Sequence, residues 1–267
     1  MHFEFKSPTR RKLWKPALER GGSLNAKDAL SMWHTAWLRI IENYTERHLT
    51  NPSDKLVALS GVASYFQEKI GDAYLAGLWR STFLLDLLWS TNYTEIPKPS
   101  DYRAPSWSWA SIDGPAEAVA QSDWVYESAA EIIDVETALV NPKHGTGLVR
   151  GGSATLKGKL VEIHREESSW RKIPADDLPD GYQTLDGDNW ICRPDTKSNV
   201  PDRVYGIILH HVRSSESVVG LIIAEVNALS SSPLETKCFS RVGIFHASKA
   251  EASKVLRWSQ DSVITII

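Results

Sequence analysis

Apolar positions at three- and four-residue spacing dominate the first third of the chain. Between residues 25 and 47, Leu30, Trp33, Trp37, Ile40, Ile41 and Tyr44 fall on one stripe, which predicts an amphipathic helix. Asn25 fits its N-cap, with Asp28 three residues on. Thr50-Asn-Pro-Ser53 breaks the pattern, and Ser53 suits the cap of a second helix. There Leu56, Leu59, Val62, Ala63, Phe66 and Ile70 form the stripe, and Gly71 ends it. A third helical segment is expected over 72–90. Its Leu84-Leu-Asp-Leu-Leu-Trp89 run is apolar almost all round and should be buried.

Beyond residue 96 the period changes. Pro97, Pro99 and Pro105 impose an extended connection. Ser106-Trp-Ser-Trp-Ala110 alternates strictly, which predicts a strand with Trp107 and Trp109 on one face and Ser106 and Ser108 on the other. Further strands are expected near 127–138, 154–166, 203–213, 217–227, 236–246 and 262–267, with Arg213–Ser217 as a hairpin loop. Residues 167–202, rich in Pro, Asp and Gly, read as an excursion over one end of the strands. The fold class predicted is α+β: N-terminal helices packed against an antiparallel β-barrel or sandwich. Its parts are an arm (1–24), a helical subdomain (25–96) and a barrel-like domain (97–267) interrupted at about 167–202.

Composition narrows the function classes. A net charge of −3 gives no basic excess, so no nucleic-acid partner is expected. The basic residues Lys6, Arg10, Arg11, Lys12 and Lys15 suit a solvated arm. Cys192 and Cys238 show no ligand-like spacing. Met1-His-Phe-Glu-Phe-Lys6 lacks an apolar signal core, and no run approaches the ~18 apolar residues of a membrane span. A cytoplasmic protein with reduced cysteines and no membrane span is expected. The chain holds 11 Trp against 6 Phe and 2 Met, a surplus of rigid flat surface that suits a stiff core, an interface, or a pocket for a flat apolar ligand.

Gly145-x-Gly147 meets Arg150 where a dinucleotide fingerprint has its third glycine. No P-loop, HExxH or GxSxG occurs, and His210 and His211 on one strand would point to opposite faces and could not share a metal. An enzyme built on this chain is expected to use no metal or cofactor.

Four segments carry a family likeness: Trp37-Leu-Arg-Ile-Ile-Glu-Asn-Tyr-Thr-Glu-Arg-His-Leu-Thr50, Asp54-Lys-Leu-Val-Ala-Leu-Ser-Gly61, Tyr74-Leu-Ala-Gly-Leu-Trp79 and Tyr102-Arg-Ala-Pro-Ser-Trp-Ser-Trp-Ala-Ser-Ile-Asp-Gly114. In this order they resemble the region that follows the HET domain in fungal heterokaryon-incompatibility proteins. Phe239-Ser-Arg-Val-Gly-Ile-Phe245 resembles that family's closing strand. In the family, the HET domain precedes these segments and is held responsible for triggering cell death in non-self recognition. Only a short stretch precedes the first helix here, so the resemblance is expected to cover the C-terminal region without that effector.

Two functions follow. The first is a cofactor-free enzyme acting on a small apolar substrate, such as a polyketide- or terpenoid-type intermediate of fungal secondary metabolism. Cyclisation or cycloaddition, including hetero-Diels–Alder chemistry, needs only shape, stacking and a few donors. Orientation can remove about 7–11 kcal/mol of barrier, and one donor on a developing oxyanion about 3 kcal/mol. Tyr205, His210, Arg241 and His246, on predicted strands, are the candidate catalytic donors. Trp107 and Trp109 would form a stacking wall, with Tyr102 and Arg103 at its entrance. Each has a structural alternative as a packed or solvated residue. The second function is a non-catalytic interaction module. It predicts an exposed Trp33/Trp37 face and no enclosed cavity. The enzyme predicts the reverse: a closed core beneath the helices and a Trp-lined cavity with a few donors.

Overall fold

The computed structural model describes residues 26–47, 49, 51–91, 96–97, 99–118, 125–166, 169–171, 190–196, 201, 203–226 and 237–267. The predicted arm, the Asn25 cap and most of the 167–202 excursion lie outside them.

Helix α1 (Ala26–Thr45) and helix α2 (Lys55–Ile70) form where the periodicity predicts. Their stripes are buried through Trp37, Ile40, Ile41, Tyr44, Leu56, Leu59, Ala63 and Phe66. Tyr44 ties the two helices by donating from its hydroxyl to the Lys55 carbonyl at 2.9 Å. Gly71 ends α2 at φ 65, its N–H returning to the Gln67 carbonyl. Ser53 is not the cap. Asn51 accepts from the Ser53 N–H and opens a 3₁₀ turn, Pro52–Asp54, that runs into α2.

The predicted third helix is mostly something else. Residues 72–90 form a tight hairpin of β1 (Tyr74–Leu75) and β2 (Leu78–Trp79), a 3₁₀ turn, one short helix α3 (Phe83–Asp86), and β3 (Trp89–Ser90), which pairs with β4 (Glu117–Ala118). The run is buried as expected. An all-round apolar run carries no period that separates helix from short buried strands. Gly77 decides the matter locally. It lies at φ 106, and a Cβ there would sit 2.4 Å from Trp109 Nε1.

The Ser106–Ala110 block is not a strand. It is a turn leading into a 3₁₀ helix, Trp109–Ser111. Its serines cap and brace the loop instead of facing water. Ser108 Oγ accepts from the Ala110 N–H and donates to the Ala76 carbonyl at 2.6 Å. Ser106 Oγ accepts from the Arg241 N–H and donates to the Ile267 carbonyl, fastening the block to the sheet.

Among the described residues, nine strands form the main sheet. Strands β7 (Val149–Glu166), β10 (Arg203–Val212), β11 (Ser217–Glu225) and β12 (Cys238–Ala247) follow the predicted segments closely, while the single strand expected near 127–138 is split into β5 (Tyr126–Ser128), which pairs with β10, and β6 (Glu131–Leu139), which pairs with β7. Val212 pairs with Ser217 across the predicted hairpin. Two pieces of the expected excursion belong to the sheet. These are β8 (Ser169–Arg171), on β7, and β9 (Trp190–Pro194), antiparallel to β12. The sheet is mixed, not wholly antiparallel, because β13 (Gln260–Ile266) runs parallel to β12. A parallel neighbour needs a crossover. Helix α4 (Lys249–Trp258), which the sequence reading missed, supplies it. One continuous core joins the helical layer to the sheet, from Trp37, Phe66 and Trp107 to Leu221, Ile223 and Phe239. A second cluster, with Ile163, Ile208, Phe245 and Val255, fills the other face under α4.

Candidate functional site

Tyr205 and His210 are five residues apart on β10, as are Arg241 and His246 on β12. Simple alternation would put the members of each pair on opposite faces. Two bulges reverse this. Leu209 is skipped between the Ile208↔Gly220 and His210↔Val219 pairings, and Val242 between Arg241↔Ile223 and Gly243↔Ile222. The register therefore aligns Tyr205–Ile223–Arg241 in one row and His210–Val219–His246 in another. Both rows lie on the face turned to the helices. The four residues share a face without forming one constellation, because the rows are four residues apart on β11, about 13 Å.

Their surroundings differ sharply. Arg241 is fully enclosed. Its Nε and Nη2 grip the Asp195 carboxylate at 2.8 and 3.0 Å, Nη1 and Nη2 donate to the Leu87 and Trp89 carbonyls, and its guanidinium lies 3.5 Å from the Trp89 ring centroid. Such a residue holds the β3 segment to the sheet and has little left to offer a ligand. Tyr205 is half-buried between the Phe239 ring and the Arg203 guanidinium. His210 is buried against Tyr126, and neither ring nitrogen makes a well-formed hydrogen bond. Burial holds its imidazole below the ordinary range, with only weak opposition from the Leu84 and Glu127 backbone. His246 is half-buried, and its Nε2 lies 2.9 Å from Ser217 Oγ. Burial, and then Arg193, hold its imidazole below the ordinary histidine range.

The predicted stacking wall is core. Trp107 is 0% exposed and packs edge-on against Phe83, while its carbonyl accepts from Trp89 Nε1. Trp109 is 2% exposed and meets Tyr44. Trp37 and Trp109 both donate to the Gly77 carbonyl at 3.0 Å. Trp107 and Trp109 lie on a turn and a 3₁₀ helix, so they are not one strand face. Of the expected entrance pair, Tyr102 is exposed and Arg103 is ion-paired to Asp113.

A cavity does lie beneath α1, walled by Trp37, Ile41, Leu78, Trp89, Trp109 and Asp86. Its volume, about 20 Å³, suits one water molecule. None of Tyr205, His210, Arg241 and His246 lines it. Its polar lining comprises Glu117 and Asp86, the latter not singled out by the sequence pattern. Asp86 Oδ1 lies 2.5 Å from His34 Nε2, and Oδ2 accepts from the Trp79 N–H and the Thr82 hydroxyl. The contact orients the His34 ring on the Asp86 carboxylate. Two signals were present: a lone Asp inside Leu84–Leu88, and a His beside Trp33 on the apolar stripe. Linking them needed the tertiary structure. Among the described residues no cluster of His, Cys, Asp and Glu is placed to hold a metal, and no helix is long and apolar enough to cross a membrane.

Comparison of the chain with family models, with curated proteins and with solved structures gives no match.

Proposed function

We propose that this chain is a cofactor-independent enzyme on a scaffold related to the C-terminal region of fungal heterokaryon-incompatibility proteins. It promotes cyclisation or cycloaddition of an apolar polyketide- or terpenoid-type intermediate, as a pericyclase of the hetero-Diels–Alderase kind. The observation that carries this reading is the cavity walled by Trp37, Trp89 and Trp109, with Asp86 and Glu117 as polar members. The closed helical layer supports it: Trp37 is 1% exposed, where an interaction module would present that face. The pairings support a barrel-like closure of the strands. β10, β11, β12 and β13 run in order, and β7 pairs with both β13 and β10. In this reading the indoles hold a flat diene, and His34, oriented by Asp86, exchanges a proton with a polarised carbonyl or phenol. A substrate-sized site needs roughly 300–1,000 Å³. Binding must therefore lift α1 from the hairpin. The test is turnover of an o-quinone-methide-type diene with a terpene alkene, with product stereochemistry compared to the uncatalysed reaction. A background rate, with no ligand-induced change in tryptophan fluorescence, would sink the proposal.

The size of the cavity favours a second reading, a non-catalytic module related to incompatibility proteins. Under it, the Trp block only braces the helices on the sheet. Binding of a separately expressed HET domain, with no turnover, would select it.

A further inference from the structure

The geometry points to a small oxyanion site made by Lys55, Arg103 and the amino end of α2, one that takes a carboxylate or phosphate group. Helix α2 has 16 residues, and Lys55 is its first. A cation there opposes the helix dipole, whose positive end favours an anion. Lys55 is 7% exposed and donates from Nζ to the Ile112 carbonyl. The Arg103 side chain is 10% exposed. Its Nη1 holds Asp113 Oδ1, while its Nε is buried and without a partner. A buried donor left unpaired is costly, and Nε with Nη2 forms the edge that grips carboxylates and phosphates side-on.

Lys55 and the Arg103 side chain are largely buried, whereas the two carboxylates beside them, Asp113 and the α2 N-cap residue Asp54, are exposed and screened by solvent. The Asp113 side chain is 33% exposed and the neighbouring Tyr102 is 56% exposed, so the cluster opens to solvent on that side. Burial lowers Lys55 to about 8; Asp113 opposes this and Arg103 adds to it. Tyr44 contributes only its hydroxyl, bonded to the Lys55 carbonyl. A bound anion would raise the Lys55 pKa again, so binding near pH 8 must take up protons. Neither Lys55 nor Arg103 lines the Trp-walled cavity, so the site is independent of that cavity's chemistry.

The test is titration calorimetry of the full chain at pH 8 in chloride. Inorganic phosphate and acetate are added separately, each in two buffers of different ionisation enthalpy. The expected result is saturable one-to-one binding of at least one anion, with proton uptake. The anion that binds identifies the group recognised. Arg103→Lys should weaken binding at least tenfold, and Lys55→Met should abolish proton uptake. Amide chemical-shift mapping of the unmutated chain serves where a variant fails to fold. Shifts should concentrate at residues 53–57 and 102–104. No saturable binding of either anion, shifts located elsewhere, or affinity unchanged in both variants (an adventitious ion only) would overturn the site.

Discussion

Arg241 and Asp195 form a buried two-point ion pair, with Nε to Oδ2 at 2.8 Å and Nη2 to Oδ1 at 3.0 Å. Breaking one side strands a charge in the core, which typically costs about 3–5 kcal/mol. Arg241→Met and Asp195→Leu should each lose that order of stability in urea unfolding. The double variant should recover much of it. Arg241→Lys should also destabilise, because an ammonium cannot serve Asp195, Leu87 and Trp89 together. A stable Arg241→Lys protein would remove the structural role and return Arg241 to the catalytic candidates.

Gly77→Ala tests the contact that organises the aromatic block. The residue would need φ 106 and a Cβ 2.4 Å from Trp109. Strain and displacement together should cost about 2 kcal/mol or more, lowering Tm by roughly 5 °C. Near-ultraviolet circular dichroism should weaken as Trp109 leaves its place. Gly61→Ala, with open space around its Cβ, is the control.

Lys55 predicts an unusual pH dependence. Its pKa is about 8 when folded against an ordinary 10.5. Below pH 8 both states are protonated, and the folded state bears the full cost of burying the charge. Between 8 and 10.5 the unfolded chain holds a proton that the folded chain has released, so stability rises with pH. The gain is on the order of 2–3 kcal/mol. Tyr44 acts oppositely, its pKa raised to about 12 by burial and by Asp54. Above about 10 the unfolded tyrosine ionises first, and stability falls. Denaturant midpoints in chloride should peak near pH 10, and Lys55→Met should flatten the rise between 8 and 10.

Asp86 and His34 should separate cleanly. Asp86→Ala leaves the Trp79 N–H without its acceptor and should cost about 2–4 kcal/mol. His34→Gln keeps that acceptor in place, removes only the partly buried imidazole, and should cost about 1 kcal/mol. Loss of cyclisation rate in His34→Gln at unchanged stability would support the proton-transfer role. Full activity in that variant would exclude it.

Much of the fold was legible in the chain. The stripes of α1 and α2 follow from period, because one-sided burial writes a period into the sequence; β10 and β11, buried on both faces, show instead as apolar runs between turn residues. Elements buried on every side write none. The 72–90 run therefore reads as helix yet folds as a hairpin with one helical turn. The SWSWA block alternates for a local reason: its serines brace a turn while its tryptophans enter the core. Helix α4 is only ten residues long, its apolar stripe confined to Ala252, Val255 and Leu256, and the parallel β12–β13 pair depends on it.

The sequence by itself determined that two amphipathic helices lead into a strand-rich remainder, and where several chain reversals fall. The tertiary structure alone decided which polar residues meet. Skipping Leu209 and Val242 brings Tyr205, His210, Arg241 and His246 onto one face, where alternation would scatter them. Long-range pairing also selects Asp86 for His34 and Asp195 for Arg241 across 52 and 46 residues. A side chain's partner is fixed by the register and packing of distant elements, and no local period encodes either.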